Sequence, residues 1–402
     1  ENPCDLACIE ANLKKFGVKE IYHGVCQGSM AFLRRAFNKQ RYLHRQRLCV
    51  KNHLQVFGTL WTSKESKLLS FEKSILLNAM KIKHTTEIEQ KIMESICTLE
   101  SSDAGYCTFL SNEESFLNFS LRMRDWFSKL HTCRVIYVIT NGAANVCNSS
   151  DCSLKNHWIW GWSRCVRKEF PDLKIVCVDL DPCNSTDQNI KCLQTEINNN
   201  NDDLEVAWRG KMRYVCELKS LSSSGVPIPV RSTGTYIITG GTGGLGLITA
   251  KWLVQQGATS LLLISKSGIV KPYLRKEYEN LICRAEVSCV SCDICDYEAL
   301  KHAIESNKLV KTNSVVGIVH CGGILKDKLL KNLTEKDVMD VWGPKVIGAE
   351  NLKQLSSCYK LDFFLLYSSI AGIFGSKGQT AYGAANSALD GMAIQFKQEG
   401  IP

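Results

Sequence analysis

The sequence has no apolar run long enough to cross a membrane. Its most apolar stretches, Leu261–Ile264 and Phe363–Leu366, are strand-sized, whereas a helical span needs about 20 residues. The opening Glu1-Asn-Pro-Cys-Asp5 lacks the basic, apolar and small-residue order of a secretory signal. Without that signal, the 20 cysteines read as reduced thiols, mostly small core residues, and not as a disulfide framework. A cytoplasmic setting is the expectation. An initiator Met is also lacking, so the chain is expected to be a piece of something longer. Cys289-x-x-Cys292-x-x-Cys295 has no nearby His or Cys array to complete four ligands, so no metal site is expected. No DNA- or RNA-binding motif accompanies the basic cluster Arg34, Arg35, Lys39, Arg41, Arg45, Arg47 and Lys51. The cluster contributes to a net charge of +9; it reads as a solvated face, with no nucleic-acid partner.

What is present is the balance of a globular protein, 45% hydrophobic and 22% charged. A length of 402 residues suits two or three domains. Residues 1–90 form an unassigned segment, with helical periodicity at Asp5–Phe16 and Gln27–Phe37 and a strand pair within Leu48–Trp61. Residues 91–220 turn α/β. Glu87–Leu99, Phe116–Leu130 and Ser153–Phe170 read as helices; Arg134–Thr140 and Leu173–Asp179 read as strands; Glu205–Leu218 reads as a strand pair. Such alternation predicts a parallel sheet. Neither strand is followed by a Gly-rich turn, so this unit is expected to hold no nucleotide. Trp158, Trp160 and Trp162 on one helix mark either a ligand pocket or, as such spacing more often does, packing against a sheet or neighbouring domain. The Ser, Gly and Pro content of Lys219–Pro229 marks a linker, placed at 221–232 between the units.

From 233 to 402 the alternation is regular. Strands are predicted at 235–239, 260–265, 286–290, 315–319 and 362–368, with a last helix at 380–399. The stretch Thr235-Tyr-Ile-Ile-Thr-Gly-Gly-Thr-Gly-Gly-Leu-Gly246 organises this unit. A short buried strand runs into a Gly-rich turn and then a helix. That arrangement lets a pyrophosphate approach the backbone and sit on the free N–H groups of the helix start. Thr239, Gly240, Thr242, Gly243, Gly244, Leu245 and Gly246 are therefore cofactor-binding candidates. The second strand ends in Ser265-Lys266 in place of the acidic residue that holds ribose hydroxyls in NAD sites. A hydroxyl and a cation suit a 2′-phosphate, and so NADPH. Asp293 and Ile294 end the third strand, where a carboxylate accepts from an adenine amino group. Cys321 and Gly322 follow the fourth strand beside the same crevice.

Ser369 follows the fifth strand, and Tyr382 and Asn386 are i, i+4 on the last helix. Lys345 lies on the preceding helix. A Tyr serves as general acid to a carbonyl oxygen, and a nearby Lys cation lowers its pKa from about 10. Ser369 would hydrogen-bond the same oxygen.

With these residues in view, the second unit resembles a short-chain dehydrogenase/reductase, whose Thr-Gly-x-x-x-Gly-x-Gly pattern is met by Thr239, Gly240, Gly244 and Gly246. More narrowly it resembles the ketoreductase domain of modular polyketide synthases and animal-type fatty acid synthases. In those domains Asn stands four residues after the Tyr and the Lys moves upstream, as with Asn386 and Lys345. Val138–Ala143, Trp160–Arg164, Glu169–Leu173 and Glu205–Arg209 resemble that family's structural subdomain. The resemblance implies two Rossmann-like units: a truncated, cofactor-free one, then a doubly wound parallel sheet that lacks its last strands. It implies NADPH, an acyl carrier protein bearing a β-ketoacyl chain, and neighbouring synthase domains as partners. It also implies that Asp327, Leu366 and Gln379 bear on substrate and stereochemistry. The family's Leu-Asp-Asp is here Leu325-Lys326-Asp327, the position of its class-marking Trp is Leu366, and the Pro of epimerising members is Ala384. These features lean to an (R)-3-hydroxyacyl product. The alternatives are a reductase of a free ketone, which would not need the structural unit, and a dinucleotide-binding module without turnover, which would have lost Tyr, Ser or Lys.

Overall fold

The computed structural model describes residues 56–63, 77–79, 105–109, 115–128, 135–146, 154–198, 202–221 and 228–402. The basic cluster Arg34–Lys51 and the helices predicted at Asp5–Phe16, Gln27–Phe37 and Glu87–Leu99 lie outside the described residues.

The first unit is built on a seven-stranded sheet. In chain order its elements are β1 (Val56–Ser63), β2 (Leu77–Ala79), β3 (Gly105–Phe109), α1 (Phe116–Ser128), β4 (Val135–Asn141), α2 (Trp158–Glu169), β5 (Lys174–Leu180), α3 (Thr186–Asn198), β6 (Glu205–Arg209) and β7 (Met212–Leu221). The strand order is β1-β7-β6-β5-β4-β3-β2. Strands β2 to β6 are parallel, and β7 and β1 add antiparallel edges. The sheet thus draws in Val56–Ser63 and Leu77–Ala79, ahead of residue 91 where the sequence placed its start. Only one strand occupies the described part of Leu48–Trp61, and its partner is β7, more than 150 residues on. The strand β7 also runs through Leu221, into the predicted linker.

The second unit is a five-stranded, all-parallel sheet. Its elements are β8 (Thr235–Thr239), α4 (Gly244–Gln255), β9 (Ser260–Ser265), α5 (Arg275–Ile282), β10 (Glu286–Ser291), α6 (Tyr297–Glu305), α7 (Lys308–Thr312), β11 (Val315–His320), α8 (Glu335–Trp342), α9 (Gly348–Ser356), β12 (Phe363–Leu366), α10 (Ala371–Phe374) and α11 (Thr380–Gln398). The order β10-β9-β8-β11-β12 reverses direction between β8 and β11, which opens a crevice at their carboxyl ends. β8 and β11 are buried along their whole length, as expected of central strands covered on both faces. The fifth strand is shorter than predicted and ends at Leu366, so Ser368 and Ser369 lie in the loop beyond it.

The two units share one apolar core. Trp158, Trp160 and Trp162 are all but fully buried, in a cluster with Phe116 and Phe119 from the first unit and Leu330, Val338, Val341 and Ala384 from the second. Trp342 stacks on Phe116 with ring centroids 4.4 Å apart. The tryptophans therefore pack the junction and do not line a ligand pocket. The helices α2 and α11 meet backbone to backbone at Gly161 and Gly383, where a Cβ on Gly161 would collide with the Gly383 carbonyl. Among the described residues no helix is long and apolar enough to cross a membrane.

Candidate active site

A cleft of about 500 Å³ opens at the carboxyl ends of β8, β9, β10 and β11. Gly240, Thr242, Gly243, Gly244, Leu245, Gly246, Ser265, Lys266, Asp293, Ile294, Cys321 and Gly322 all line it. Thr239, Tyr382 and Lys345 lie outside that lining. The turn is shaped by its glycines. Gly240 has φ 65°, and a Cβ on Gly246 would collide with the Gly240 carbonyl. The helix α4 starts inside the glycines, with Gly243 at its N-cap and no side-chain cap. Its first amides therefore face the cleft, the arrangement that suits an anionic diphosphate.

Thr242 Oγ1 donates to Ser265 Oγ at 2.7 Å, and Gly268 N donates to the same oxygen at 3.1 Å. Lys266 is exposed, and its Nζ pairs with Asp293 Oδ2 at 2.8 Å. The expected phosphate partner and the expected adenine partner thus hold each other. Hydrogen bonding to Lys266 and to the Cys295 amide keeps the Asp293 carboxyl below its ordinary value. Cys295 and Cys292 line the cleft too. Among the described residues no three His, Cys, Asp or Glu side chains converge as metal ligands.

The catalytic candidates gather beyond the other end of the cleft. Lys345 sits on a π-helical turn, Gly343–Ile347, between α8 and α9. Such a turn widens the helix and redirects a side chain. Lys345 is 5% exposed. Its stem passes over Gly323, where a Cβ would lie 3.0 Å from Lys345 Cε. Its Nζ donates to the Tyr367 carbonyl at 2.9 Å and lies 5.7 Å from the centroid of the Tyr382 ring. Burial lowers its pKa to about 8, opposed by the Cys321 thiol and the Asp390 carboxyl.

Tyr382 is in the first turn of α11. Its phenol is raised above its ordinary value, by burial foremost, with hydrogen bonding to Ser369 and Asn386 opposing. This differs from the sequence-based expectation that Lys345 draws it down. The ammonium faces a carbonyl and the ring, not the hydroxyl, so burial dominates. Asn386 Nδ2 donates to the Tyr382 carbonyl at 2.7 Å, and its Oδ1 is buried without a partner. Ser369 Oγ accepts from the Ala371 amide at 3.2 Å.

The stereochemical candidates are partly joined. Gln379 Nε2 donates to Asp327 Oδ1 at 3.0 Å. Lys326, in place of an Asp, turns away to α8, where it pairs with Asp340 at 2.5 Å and Asp337 at 3.4 Å. Leu366 ends β12 beside His320 of β11.

Two groups were not singled out from sequence. His320 is fully buried. Its Nδ1 lies 2.6 Å from Thr239 Oγ1 and its Nε2 lies 2.9 Å from the Lys345 carbonyl. A carbonyl only accepts, so Nε2 carries the proton and Thr239 donates to Nδ1. The imidazole therefore joins the strand that enters the Gly-rich turn to the turn that bears Lys345. Burial and the Lys345 charge push its pKa down to about 4. One signal was available: His320 is the sole titratable residue of an otherwise apolar strand. The second group, Asp390, is on α11 eight residues past Tyr382. Burial raises its carboxyl to about 6 despite hydrogen bonding to Ser368 and the charges of Arg164 and Lys345.

Comparison with known proteins agrees with this geometry. A family profile described as KR domain matches residues 234–402. A phenolphthiocerol/phthiocerol polyketide synthase component of Mycobacterium tuberculosis is 30% identical over 275 residues, covering 66% of this chain and 15% of that protein. The erythronolide synthase EryA3 of Saccharopolyspora erythraea is 30% identical over 276 residues, covering 66% of this chain and 8% of that protein. The chain thus spans a small fraction of the curated relatives it matches. Among solved structures, an A-type ketoreductase from a modular polyketide synthase superposes with a TM-score of 0.73 at 23% identity, covering 87% of this chain and 81% of the other. The first ketoreductase of the tylosin synthase gives 0.73 at 24% identity, covering 86% and 80%. Residues 234–402 thus match the KR domain family, and the two units together have the fold of ketoreductases from modular polyketide synthases.

Proposed function

We propose that this chain reduces the keto group of a β-ketoacyl thioester, carried on an acyl carrier protein, with NADPH as reductant, as one domain of a cytoplasmic polyketide or fatty acid synthase. The observation that carries the proposal is convergence. Lys345, Ser369, Tyr382 and Asn386 come from three separate segments and meet beside a cleft whose glycines leave helix amides open. That cleft fits the dinucleotide: Gly240 and Gly246 stand where any Cβ would meet backbone, and the α4 start has no side-chain cap. Gly243 to Gly246 would hold the diphosphate, Asp293 the adenine, and Ser265 with Lys266 the 2′-phosphate. Lys266 would exchange one exposed carboxylate partner for a phosphate.

The bound dinucleotide supplies the hydride. The protein supplies a proton and its control. A raised phenol is neutral at physiological pH, the state a proton donor needs at the start of a reduction. Tyr382 donates to the keto oxygen as it becomes an alcohol. Ser369 hydrogen-bonds the same oxygen. Lys345, still cationic below about 8, stabilises the phenolate left behind. Asn386 anchors the Tyr382 turn, and its unpartnered Oδ1 suits a water that returns the proton. Asp327 and Gln379 border the substrate side, and the product expected is the (R)-3-hydroxyacyl thioester without epimerisation.

The test is NADPH oxidation with a β-ketoacyl thioester, followed by chiral analysis of the alcohol. Tyr382→Phe should lower turnover by about 10²–10⁴-fold while leaving NADPH binding in place. Binding of NADPH with no turnover of any of several ketones would instead mark a non-catalytic dinucleotide module. Equal efficiency on free ketones and carrier-bound thioesters would point to a free-ketone reductase.

A further inference from the structure

We propose that Glu169, which belongs to the unit without a dinucleotide turn, is a positioning residue for the substrate-side loop of the reductase site, and that it thereby sets which face of the ketone is presented. The inference rests on the reductase reading above.

Glu169 is the last residue of α2. Its carboxylate points out of its own unit. Oε2 accepts from the Leu330 amide at 2.7 Å. Oε1 accepts from Thr380 Oγ1 at 2.9 Å and from the Gly378 amide at 3.3 Å. All three donors belong to the second unit, more than 160 residues away in sequence. They lie on two short segments, 327–330 and 378–380. These segments are also tied to each other: the Lys328 amide donates to the Gly378 carbonyl at 2.6 Å, and Gln379 donates to Asp327.

The geometry is a clamp with two ends. At the front, Asp327 and Gln379 meet on the exposed side. At the back, one carboxylate gathers three donors from both segments. Thr380 is the first residue of α11 and Tyr382 lies two further on, so the same carboxylate sits at the start of the helix that carries the proton donor. A negative charge there is favoured by the helix dipole.

The role differs from holding the units together. The junction already has Phe116 against Trp342, the three tryptophans and the close crossing of α2 and α11. Glu169 adds little apolar contact. What it adds is one anchor shared by both segments, which are otherwise tied to each other and, through Lys328, to Asp337 of α8 at 2.6 Å.

The experiment uses Glu169→Gln in the full chain. The amide keeps the size but sets an NH₂ group against N–H and O–H donors. Hydrogen exchange reads the loop without turnover. The Leu330 and Gly378 amides should exchange about tenfold faster, with the amides of α4 and the melting temperature unchanged. In turnover assays the KM for the β-ketoacyl thioester should rise, the enantiomeric ratio of the alcohol should fall, and NADPH affinity should hold. Thr380→Val should reproduce part of the effect, and the double variant should be no worse than Glu169→Gln. Should Glu169→Gln fail to fold, Thr380→Val alone decides by the same readouts. Unchanged exchange and enantiomeric ratio would overturn the proposal, as would an equal loss of NADPH affinity, which marks a general structural role. Absence of turnover in the unsubstituted protein would defeat the reductase reading instead, and the exchange result would still decide whether Glu169 holds the loop.

Discussion

The molecule contains the same strand–turn–helix start twice, and the two turns have opposite fates. In the second unit, β8 runs into Gly240–Gly243 and the amides at the start of α4 stay open. In the first, β4 runs into the turn at 141–146, whose amides are already taken. Asp179, fully buried at the end of the neighbouring strand β5, accepts from the Ala143 amide at 2.7 Å and the Ala144 amide at 3.1 Å. It also accepts from the Thr140 hydroxyl, and Arg209 pairs with it at 2.7 Å. The neighbouring strand of the second unit, β9, ends Leu263-Ile264-Ser265 with no carboxylate. One turn is therefore plugged by an internal anion held by the protein's own arginine. The other turn has no such internal carboxylate on the neighbouring strand.

The comparison breaks most completely at Gly246. Gly246→Ala drives a methyl into the Gly240 carbonyl and should abolish NADPH binding in a fluorescence titration, with the first unit still folded. The opposite break is Asp179→Ala. It removes the buried carboxylate that takes two turn amides and pairs with Arg209, and losing one member of a buried ion pair costs about 3–5 kcal/mol. Chemical denaturation should show that loss, with residual NADPH affinity of the folded protein unchanged. A smaller effect is a pH limb. Lys345 is charged below about 8, so kcat/KM for reduction should be level below that pH and fall above it as the phenolate loses its cation. Asp390 raises the Lys345 pKa, so Asp390→Asn should move the limb to lower pH. The smallest effect is Lys266→Ala. One exposed charge-assisted contact is removed, so NADPH affinity should fall on the order of tenfold and NADH affinity should not.

Much of the cleft was legible because its parts are local. Each candidate from Thr239 to Gly322 sits at the end of a predicted strand or in the residues that follow it, and parallel strands bring their carboxyl ends to one side. The catalytic set was legible through spacing on α11 and through family resemblance. What escaped depends on distant pairs. Glu169 meets Thr380 across 211 residues and His320 meets Thr239 across 81. No periodicity reports such meetings. The same limit explains β1. Val56–Ser63 pairs with β7 because an antiparallel edge was available, and nothing within the strand names its partner.

By itself the sequence determined that residues 233–402 form a parallel sheet with a Gly-rich turn, since apolar strand runs and glycine positions are properties of the local chain. It also supplied the candidate side chains for the chemistry, through their spacing and the family resemblance. Only the tertiary structure decided that the three tryptophans seal the junction between units and that burial raises the Tyr382 phenol above its ordinary value. It alone decided that Asp179 plugs the first turn and that Glu169 reaches the second unit's loops. Burial and long-range hydrogen bonds exist only once both sheets have packed, and those two quantities set the charge and position of every group in the site.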